Sequence, residues 1–260
     1  MVDVEQLTVL TVRDMVRLPH PFIVRSLQIL THILALIGLL SWQIEYLIYS
    51  VVIYYVFSSI GITVGFHRYL THRSFKTNKF WHIVMSVMGT MVAQGSSIAW
   101  AAIHRQHHKY SDQPKDPHSV HQIGGIRAWL TLWDRDIIEH NTKDLLRDPV
   151  QRWLHKHYLE IHLGMIAVFA VIDPWLVVYA YSLPIVLTLH TSGIFNVATH
   201  WHGYRNFNTP DHSYNTWYVN IFALGEGWHN NHHQHPTSYT TKVKWWEIDP
   251  LAWFIKAIKV

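Results

Sequence analysis

A histidine pattern that occurs twice constrains this chain more than any other feature of its sequence. His-x-x-His-His stands at residues 104–108 and again at residues 229–233. Residues three and four positions apart lie on one face of an α-helix, so each copy would present three imidazoles together. Chance would produce some clusters among 22 histidines, and a role as polar rim residues would explain others. Two copies with identical spacing instead indicate metal binding.

A third cluster pairs His67 with His72. At ~3.6 residues per turn, five positions separate two side chains by roughly 140° on an α-helix. We therefore expect both histidines to bind metal only if the helix ends between them. Together the clusters offer more ligands than one ion takes, which predicts two ions. These candidates are His67, His72, His104, His107, His108, His229, His232 and His233.

The absence of cysteine from the sequence narrows the metal chemistry. It excludes disulfides, iron–sulfur clusters and cysteine nucleophiles. Zinc usually takes four ligands, often with cysteine among them, whereas an open site of neutral imidazoles also suits iron. Beside a membrane, ligands that are all nitrogen indicate oxygen chemistry on a lipid substrate.

Four apolar stretches predict membrane-spanning helices, because about 20 apolar residues can cross a hydrocarbon core. They are residues 22–42, 44–64, 158–172 and 175–196. Only Gln43 separates the first two, and Asp173 and Pro174 separate the last two, so we expect two helical hairpins. The third stretch is short, and a buried core helix is its alternative.

A fifth apolar run, residues 80–100, should not cross the membrane. It separates His72 from His104, and a crossing would put the first two histidine clusters on opposite faces of the bilayer. Gly89 and Gln94 also make the run less lipid-like than the other four. We expect it to lie in the membrane interface or to be buried under the histidine-rich domain.

The distribution of Lys and Arg predicts the orientation. Three precede residue 27, thirteen lie between residues 65 and 157, and five follow residue 196, whereas the hairpin tips carry none. The positive-inside rule then places both termini and all three clusters on the cytoplasmic side. The net charge of +4 comes from basic residues scattered among apolar spans, which favours anionic lipid or an acidic redox partner over nucleic acid.

These observations predict an integral, multi-pass, all-α membrane protein. Residues 1–260 would form a single domain in which four transmembrane helices, arranged as two hairpins, carry a cytoplasmic helical cap. The cap would consist of residues 65–157 and 197–260 and would hold the histidine-rich site for two metal ions.

Polar residues near the clusters are candidates for orienting the ligands. Glu226 could hydrogen-bond an imidazole, and Asp112 and Asp116 could do the same, although capping the proline-containing turns nearby is an equally good role for them. Asn196 and His200 lie four residues apart at the end of the last span and so share a helix face. On spacing alone, His200 is either an interface residue or a ligand. The other thirteen histidines match no such pattern, and most are expected at the interface or surface.

The three clusters resemble the histidine boxes of the membrane fatty-acid desaturases, in particular the Δ9 branch that includes stearoyl-CoA desaturase and bacterial acyl-lipid desaturases. The resemblance covers about residues 27–250. Its matching segments are Gly65-Phe-His67-Arg-Tyr-Leu-Thr-His72-Arg-Ser-Phe, Trp100-Ala-Ala-Ile-His104-Arg-Gln-His107-His108-Lys-Tyr-Ser-Asp112 and Gly225-Glu-Gly-Trp-His229-Asn-Asn-His232-His233. The segment Asn196-Val-Ala-Thr-His200 is similar to a further Asn-x-x-x-His motif of the family.

By this resemblance, the eight cluster histidines and His200 are nine iron ligands, and Asn196 acts through a water. The resemblance implies an O2-dependent oxidoreductase that removes two hydrogens from a saturated acyl chain, at Δ9, and leaves a cis double bond. It implies two iron ions, no catalytic residue beyond the metal centre, and two electrons from an external donor such as ferredoxin or cytochrome b5.

Two questions stay open at this point. Ala102 and Ile103 stand where animal acyl-CoA enzymes carry an Arg-Asp pair, so the acyl carrier could be CoA, a glycerolipid or a carrier protein. The alternative function is a related di-iron membrane hydroxylase or ketolase with the same metal chemistry. A metal transporter, from another class of protein, would place polar ligands inside the spans rather than beside them.

Overall fold

The computed structural model describes residues 21–130 and 141–260, and side chains from residue 26 onward. Residues 1–20, and residues 131–140 of the expected cap, lie outside the described residues. Among those described, every regular element is a helix, and strand-like pairing is limited to isolated bridges such as Tyr204–Asn215 and Asn215–Trp228. The expectation of an all-helical protein is therefore confirmed.

The helices are named here in chain order. They are α1 (Pro21–Ser41), α2 (Ile44–Thr71), α3 (Lys79–Met91), α4 (Ser97–Tyr110), α5 (Val120–Ile123), α6 (Gly125–Leu130), α7 (Lys143–Arg147), α8 (Pro149–Lys156), α9 (Tyr158–Ile172), α10 (Pro174–Thr199), α11 (Asn220–Ala223), α12 (His229–Gln234) and α13 (Pro250–Ile258). A single 3-10 turn, Trp217–Val219, leads into α11.

Two of the described helices, α2 and α10, are long and apolar enough to cross a membrane by length and composition. The shorter apolar helices are Ser26–Ser41 within α1, and α9. Helices α1 and α2 are separated by Trp42 and Gln43, and α9 and α10 by Asp173. The hydroxyl of Tyr46 hydrogen-bonds the carboxylate of Asp173, which ties the tips of the two hairpins together.

Helix α2 changes its winding along its length. Its first part, Ile44–Phe57, is an ordinary α-helix, whereas Ser58–Thr71 is wound as a π-helix with i→i+5 hydrogen bonds. His72 continues this pattern, since its N–H donates to the carbonyl of His67 at 3.1 Å. Such winding is rare and is found frequently at functional sites. The apolar part of α2 is thus followed directly by the wider turns that carry the first histidine cluster.

Helix α3 packs against the π-wound part of α2 almost backbone to backbone. A Cβ added at Gly61 would lie 2.5 Å from the amide nitrogen of Gly89, so nothing larger than glycine fits there. Small residues of this kind let helices approach closely. Beside this contact, Val64, Met85 and Ile255 are fully buried in one apolar cluster that joins α2, α3 and α13.

The apolar run over residues 80–100 is divided between two helices. Helix α3 ends at Met91, and α4 begins at Ser97, capped by Ser96, whose hydroxyl accepts from the N–H of Ala99. Between them the backbone turns sharply at Ala93 and Gly95, which have φ angles of +61° and +85°. The turn directs α4, with the second histidine cluster, back along the π-wound part of α2.

Candidate metal centre

Nine buried or half-buried histidines converge at the cytoplasmic ends predicted for α2 and α10. Their candidate ligand nitrogens form two groups, and within each group all of them lie within 4.8 Å of one another. One group consists of His67, His72, His104, His108 and His232, and the other consists of His107, His200, His229 and His233. These are the nine residues that the family resemblance implied.

The π-winding of α2 brings His67 and His72 together. The helix does end at Thr71, between the two, but the estimate of roughly 140° between them assumed ordinary α-helical winding. In a helix with i→i+5 hydrogen bonds, five positions make about one turn. The two imidazoles therefore lie on nearly the same face, with ring centroids 4.8 Å apart. The angle predicted from α-helical geometry was wrong for this segment.

The two copies of His-x-x-His-His each contribute to both groups. In α4, His104 and His108 belong to the group of five, whereas His107 belongs to the group of four. In α12 the proportions are reversed. His232 belongs to the group of five, whereas His229 and His233 belong to the group of four. Each copy thus bridges the two groups, which the expectation of one shared face did not foresee.

Most of the Nε2 atoms point at one another. Pairs of Nε2 atoms lie 3.0–3.1 Å apart between His67 and His232, His108 and His232, His104 and His108, and His200 and His229. The Nε2 atoms of His72, His107 and His233 are buried and hydrogen-bond none of the described residues. In the tautomer that binds metal, each Nε2 carries a lone pair, and lone pairs at this separation repel one another unless a cation lies among them.

Carboxylates hold the opposite side of four of these rings. Each accepts a hydrogen bond from Nδ1, which leaves the lone pair on Nε2 available to a metal. The pairs are His67–Glu226 at 2.5 Å, His107–Asp116 at 3.0 Å, His200–Asp112 at 3.0 Å and His233–Asp211 at 2.7 Å. Their four negative charges would balance two divalent cations.

The structure places the predicted orienting residues as follows. Glu226 bonds His67, from a different cluster, rather than His229, its neighbour three positions along the chain. Asp112 accepts a hydrogen bond from His200. Asp116 accepts one from His107 and also accepts from two backbone N–H groups, so it serves both of its predicted roles. Asp211 was missed, because nothing in the sequence relates it to a histidine 22 positions away.

Burial determines the protonation state of five of the nine histidines. Loss of solvation lowers the pKa of His72, His104, His108, His229 and His232 well below the ordinary value, and the neighbouring imidazoles lower it further. These rings are therefore neutral, which is the form that binds metal.

The carboxylates behave in the opposite way. Burial alone would raise the pKa of Glu226, but electrostatic interactions and hydrogen bonds with His67 and Arg68 lower it to about 2. For Asp112, burial is likewise outweighed by the hydrogen bond from His200, and its pKa falls to about 2. Neutral imidazoles surrounded by ionised carboxylates form a donor set that fits a pair of cations.

Arg68 locks three parts of the chain around this set. Its side chain is 1% exposed and donates to Glu226 through Nε and NH2, at 3.0 and 2.7 Å. Its NH1 donates to Asp249, the residue that caps α13, at 2.8 Å and to the carbonyl of Tyr239 at 3.0 Å. The first cluster, the loop before the third cluster and the start of α13 are thereby held together.

His118 and Asn196 also belong to this region. His118 was expected at an interface or on the surface, which is wrong, because it is buried and its ring stacks on that of His107 with centroids 4.4 Å apart. Asn196 donates from Nδ2 to the carbonyl of His118 at 3.0 Å. The Asp116–Pro117–His118 turn therefore contacts both His107 and Asn196.

A largely apolar cavity of about 410 Å³ adjoins both histidine groups. It lies between α2 and α10 and is closed on one side by the segment around α11. Its lining includes histidines from both groups, among them His67 and His104 from the group of five and His107 and His229 from the group of four. Tyr54 of α2 also lines the cavity.

Comparison with known proteins agrees with this geometry. Residues 40–258 match the family described as fatty acid desaturase. Over 213 residues the chain is 36% identical to an sn-1 stearoyl-lipid 9-desaturase of Anabaena variabilis, covering 78% of this chain and 76% of that protein. It is 35% identical over 241 residues to an sn-2 palmitoyl-lipid 9-desaturase of Nostoc sp. (strain 36), covering 88% and 83%.

A third relative is an sn-1 stearoyl-lipid 9-desaturase of Synechocystis sp. (strain ATCC 27184 / PCC 6803 / Kazusa), which is 32% identical over 233 residues, covering 85% of this chain and 72% of that protein. The chain therefore belongs to the fatty acid desaturase family. It is an oxidoreductase, a fatty-acyl desaturase, and the predictions of its family and enzyme class are confirmed.

The Arg68 network gives a test of what holds the site together. Arg68→Met would leave Glu226 and Asp249 buried without their cation, so we expect a loss of ~3–5 kcal/mol in unfolding free energy. As a matched control, Arg73→Met removes an exposed ion pair with Asp144, and we expect a loss of ~0–1 kcal/mol. Unfolding of the purified variants in detergent measures both, and equal losses would contradict this account of Arg68.

Proposed function

We propose that the protein is a membrane-bound acyl-lipid Δ9 desaturase. The reaction converts a saturated acyl chain, O2, two electrons and two protons into a chain with one cis double bond and two waters. The observation that carries the proposal is the apolar cavity, because its lining includes histidines of both groups. The three relatives are stearoyl-lipid or palmitoyl-lipid 9-desaturases, which supports the position of the double bond and the lipid carrier.

Two iron ions fit the two histidine groups. His67, His72, His104, His108 and His232 would hold one, and His107, His200, His229 and His233 the other, with Asn196 acting through a water. When bound, the iron pair supplies the oxidising power, drawn from O2, that an unactivated C–H bond requires. Glu226, Asp112, Asp116 and Asp211 keep the Nδ1 protons in place and so present the lone pair of each Nε2 inward.

The cavity walls position the substrate. Ile62, Trp100, Ile103 and Phe195 are apolar neighbours of the lining histidines, and they would hold a chain by contact while excluding water. An acyl chain in this cavity can be placed only by its depth, since apolar contacts have no direction of their own. The position of the double bond would follow from how far the chain extends past the lining histidines.

A lipid-borne acyl chain fits this protein better than a CoA thioester. Ala102 and Ile103 are buried and apolar, so these positions offer no charge to a phosphate-rich carrier. Among the described residues of the cap, most carboxylates are turned inward and many lysines are turned outward. The buried carboxylates are those of Asp116, Asp211, Glu226, Glu247 and Asp249, whereas Lys76, Lys79, Lys109, Lys242 and Lys256 are exposed. This surface suits anionic lipid and an acidic external electron donor, such as a ferredoxin or a cytochrome b5.

The proposed arrangement in the membrane is that expected from the sequence. Residues 22–42, 44–64, 158–172 and 175–196 cross as two hairpins, and the cap of residues 65–157 and 197–260, with both termini, is cytoplasmic. Broad apolar surfaces support it: Leu40 on α1 and Val171 on α9 are 77% and 87% exposed. The run over residues 80–100, which the structure divides between α3 and α4, stays on the cytoplasmic side.

Expression in a host that lacks its own desaturase tests the function. We expect unsaturated acyl chains with a double bond at Δ9 in the membrane lipids, located by mass spectrometry. His107→Ala and His232→Ala should abolish the product, whereas His202→Ala, at an exposed position beyond α10, should leave it nearly unchanged. Equal losses in all three would argue against a metal role for the clusters, and a hydroxylated product would identify the related hydroxylase instead.

Metal analysis tests the centre itself. Purified protein should contain close to two irons per chain. Asp211→Asn removes the charge that holds Nδ1 of His233, and we expect ~10–100-fold weaker retention of metal against a chelator. Asp144→Asn, which alters an ion pair with Arg73 and Arg105, is the control and should retain its iron. Full activity with one metal per chain would refute the two-ion site.

Thiol labelling tests the topology cleanly, because the chain has no cysteine of its own. Lys76→Cys, before α3, and Gln113→Cys, after α4, should both react from the cytoplasmic side of oriented vesicles, since a crossing of ~30 Å between them would separate the histidine clusters. Trp42→Cys, at the exposed hairpin tip, should react only from the other side. Labelling of the first two from opposite faces would show that residues 80–100 span the bilayer.

A further inference from the structure

One side of the large cavity lies close to the exterior of the protein. Tyr218 and Phe222 line the cavity and are 39% and 55% exposed. Ile194 of α10 also lines the cavity and is 50% exposed. Side chains that line the cavity and are this exposed mark the thin part of its wall. The thin part of the wall lies between α2 and α10.

The segment that forms this wall is a loop whose two ends lie next to each other. We call residues 217–224 the flap; it consists of the 3-10 turn, α11 and Leu224. The N–H of Thr216, just before it, donates to the carbonyl of Gly227, just after it, at 2.7 Å. Leu224 and Gly225 have φ angles of +43° and +114°, so the chain reverses sharply there. A loop closed at its neck can move as a unit about that neck.

Two tyrosines of α2 hold the flap against the cavity. The hydroxyl of Tyr54 donates to the carbonyl of Phe222 at 3.0 Å, and that of Tyr55 donates to the carbonyl of Ile221 at 2.9 Å. Both tyrosines lie in the apolar, ordinarily wound part of α2. The flap therefore lies beside the part of α2 that we place in the membrane.

The outward face of the flap is apolar and continues the apolar surface of α2. Trp217 and Ile221 are exposed on the flap, and Val51, Val52 and Val56 are exposed on the adjoining helix. A continuous apolar surface of this kind suits hydrocarbon rather than water. The thin wall of the cavity therefore separates two apolar spaces, the cavity and the bilayer.

We propose that the flap closes a lateral port between α2 and α10, through which the acyl chain of a membrane glycerolipid passes directly from the bilayer into the cavity. The inference rests on the proposed function, since it takes the cavity to be the acyl site. An acyl chain that moves sideways between two apolar spaces never exposes its surface to water, so its transfer carries no hydrophobic penalty. A soluble thioester would have to approach from the opposite, polar side.

Photolabelling of the whole protein in lipid nanodiscs tests the port without any need for turnover. The probe is a phosphatidylglycerol whose sn-1 stearoyl chain carries a diazirine at its middle. We expect adducts on Ile62 and Phe195, which line the cavity, in addition to adducts on the outer residues Val51 and Val56. A stearoyl-CoA carrying the same diazirine, added from the aqueous phase, should not label Ile62 or Phe195.

Deletion of one hydroxyl group tests whether the tyrosines of α2 hold the flap in place. Tyr55→Phe removes the hydrogen bond to the flap from a residue that does not line the cavity. We expect cavity labelling by the phospholipid probe to become about fivefold faster, the factor that corresponds to one net hydrogen bond of ~1 kcal/mol. Tyr49→Phe, the same deletion on the first part of α2, is the matched control and should leave the rate unchanged.

A second pair of variants tests the wall. Phe222 both lines the cavity and faces outward, whereas Trp217 is exposed but does not line the cavity. Phe222→Ala should therefore speed cavity labelling, and Trp217→Ala should not. Equal rates for the two variants and the parent protein would contradict the port.

The outcomes separate this inference from the proposed function. Lipid adducts confined to Val51 and Val56, or labelling of Ile62 by the CoA probe alone, would overturn the lateral port while leaving desaturation intact. Conversely, lipid adducts on Ile62 in a protein that produces no double bond in the deficient host would retain the port and refute the desaturase assignment.

Discussion

The inward-facing imidazoles are the constraint on which the rest of this structure depends. Nε2 atoms 3.0–3.1 Å apart in a buried space cannot all present lone pairs to one another without a cation. Burial also lowers the pKa of five of the nine rings, which favours the neutral form that binds a metal. Carboxylates must then fix the Nδ1 protons and balance the metal charge. Because Asp112, Asp116, Asp211 and Glu226 are used in this way, the part of the cap that the structure describes exposes few carboxylates, whereas several of its lysines are exposed. The electrostatics of the surface thus follow from the needs of the centre.

Helix α2 is one continuous element that runs from the predicted membrane span into the candidate metal centre. Its first part is a regular apolar helix, and its second part widens to i→i+5 winding where the first cluster begins. The wider turns align His67 with His72, and Arg68 between them bonds the carboxylates that hold the third cluster and α13 in place. A change in winding therefore brings two histidines and one buried arginine from a candidate membrane helix to the same site.

The cavity, with the proposed port, would connect the candidate metal centre to the bilayer. Its lining includes histidines, and its thinnest wall is the flap, whose neck is immediately followed by the third cluster. Glu226 lies within that neck and bonds both His67 and Arg68. Movement of the flap would therefore stop at a part of the loop that is already held by buried ion pairs. Such an arrangement keeps substrate entry from disturbing the geometry of the ligands.

The sequence by itself determined the helical class, the apolar stretches and eight of the nine histidines that converge, because length, composition and short-range spacing are local properties of the chain. His200 was identified only through the family resemblance. The sequence did not determine how the ligands are shared. The division into five and four, the partner of Glu226, and the roles of Asp211 and His118 depend on contacts such as that between His67 and His232, which lie 165 residues apart. It also did not reveal the winding of α2, along which Gly61 packs closely against Gly89 of a separate helix. Only the tertiary structure decided these features, because they arise where separate helices meet.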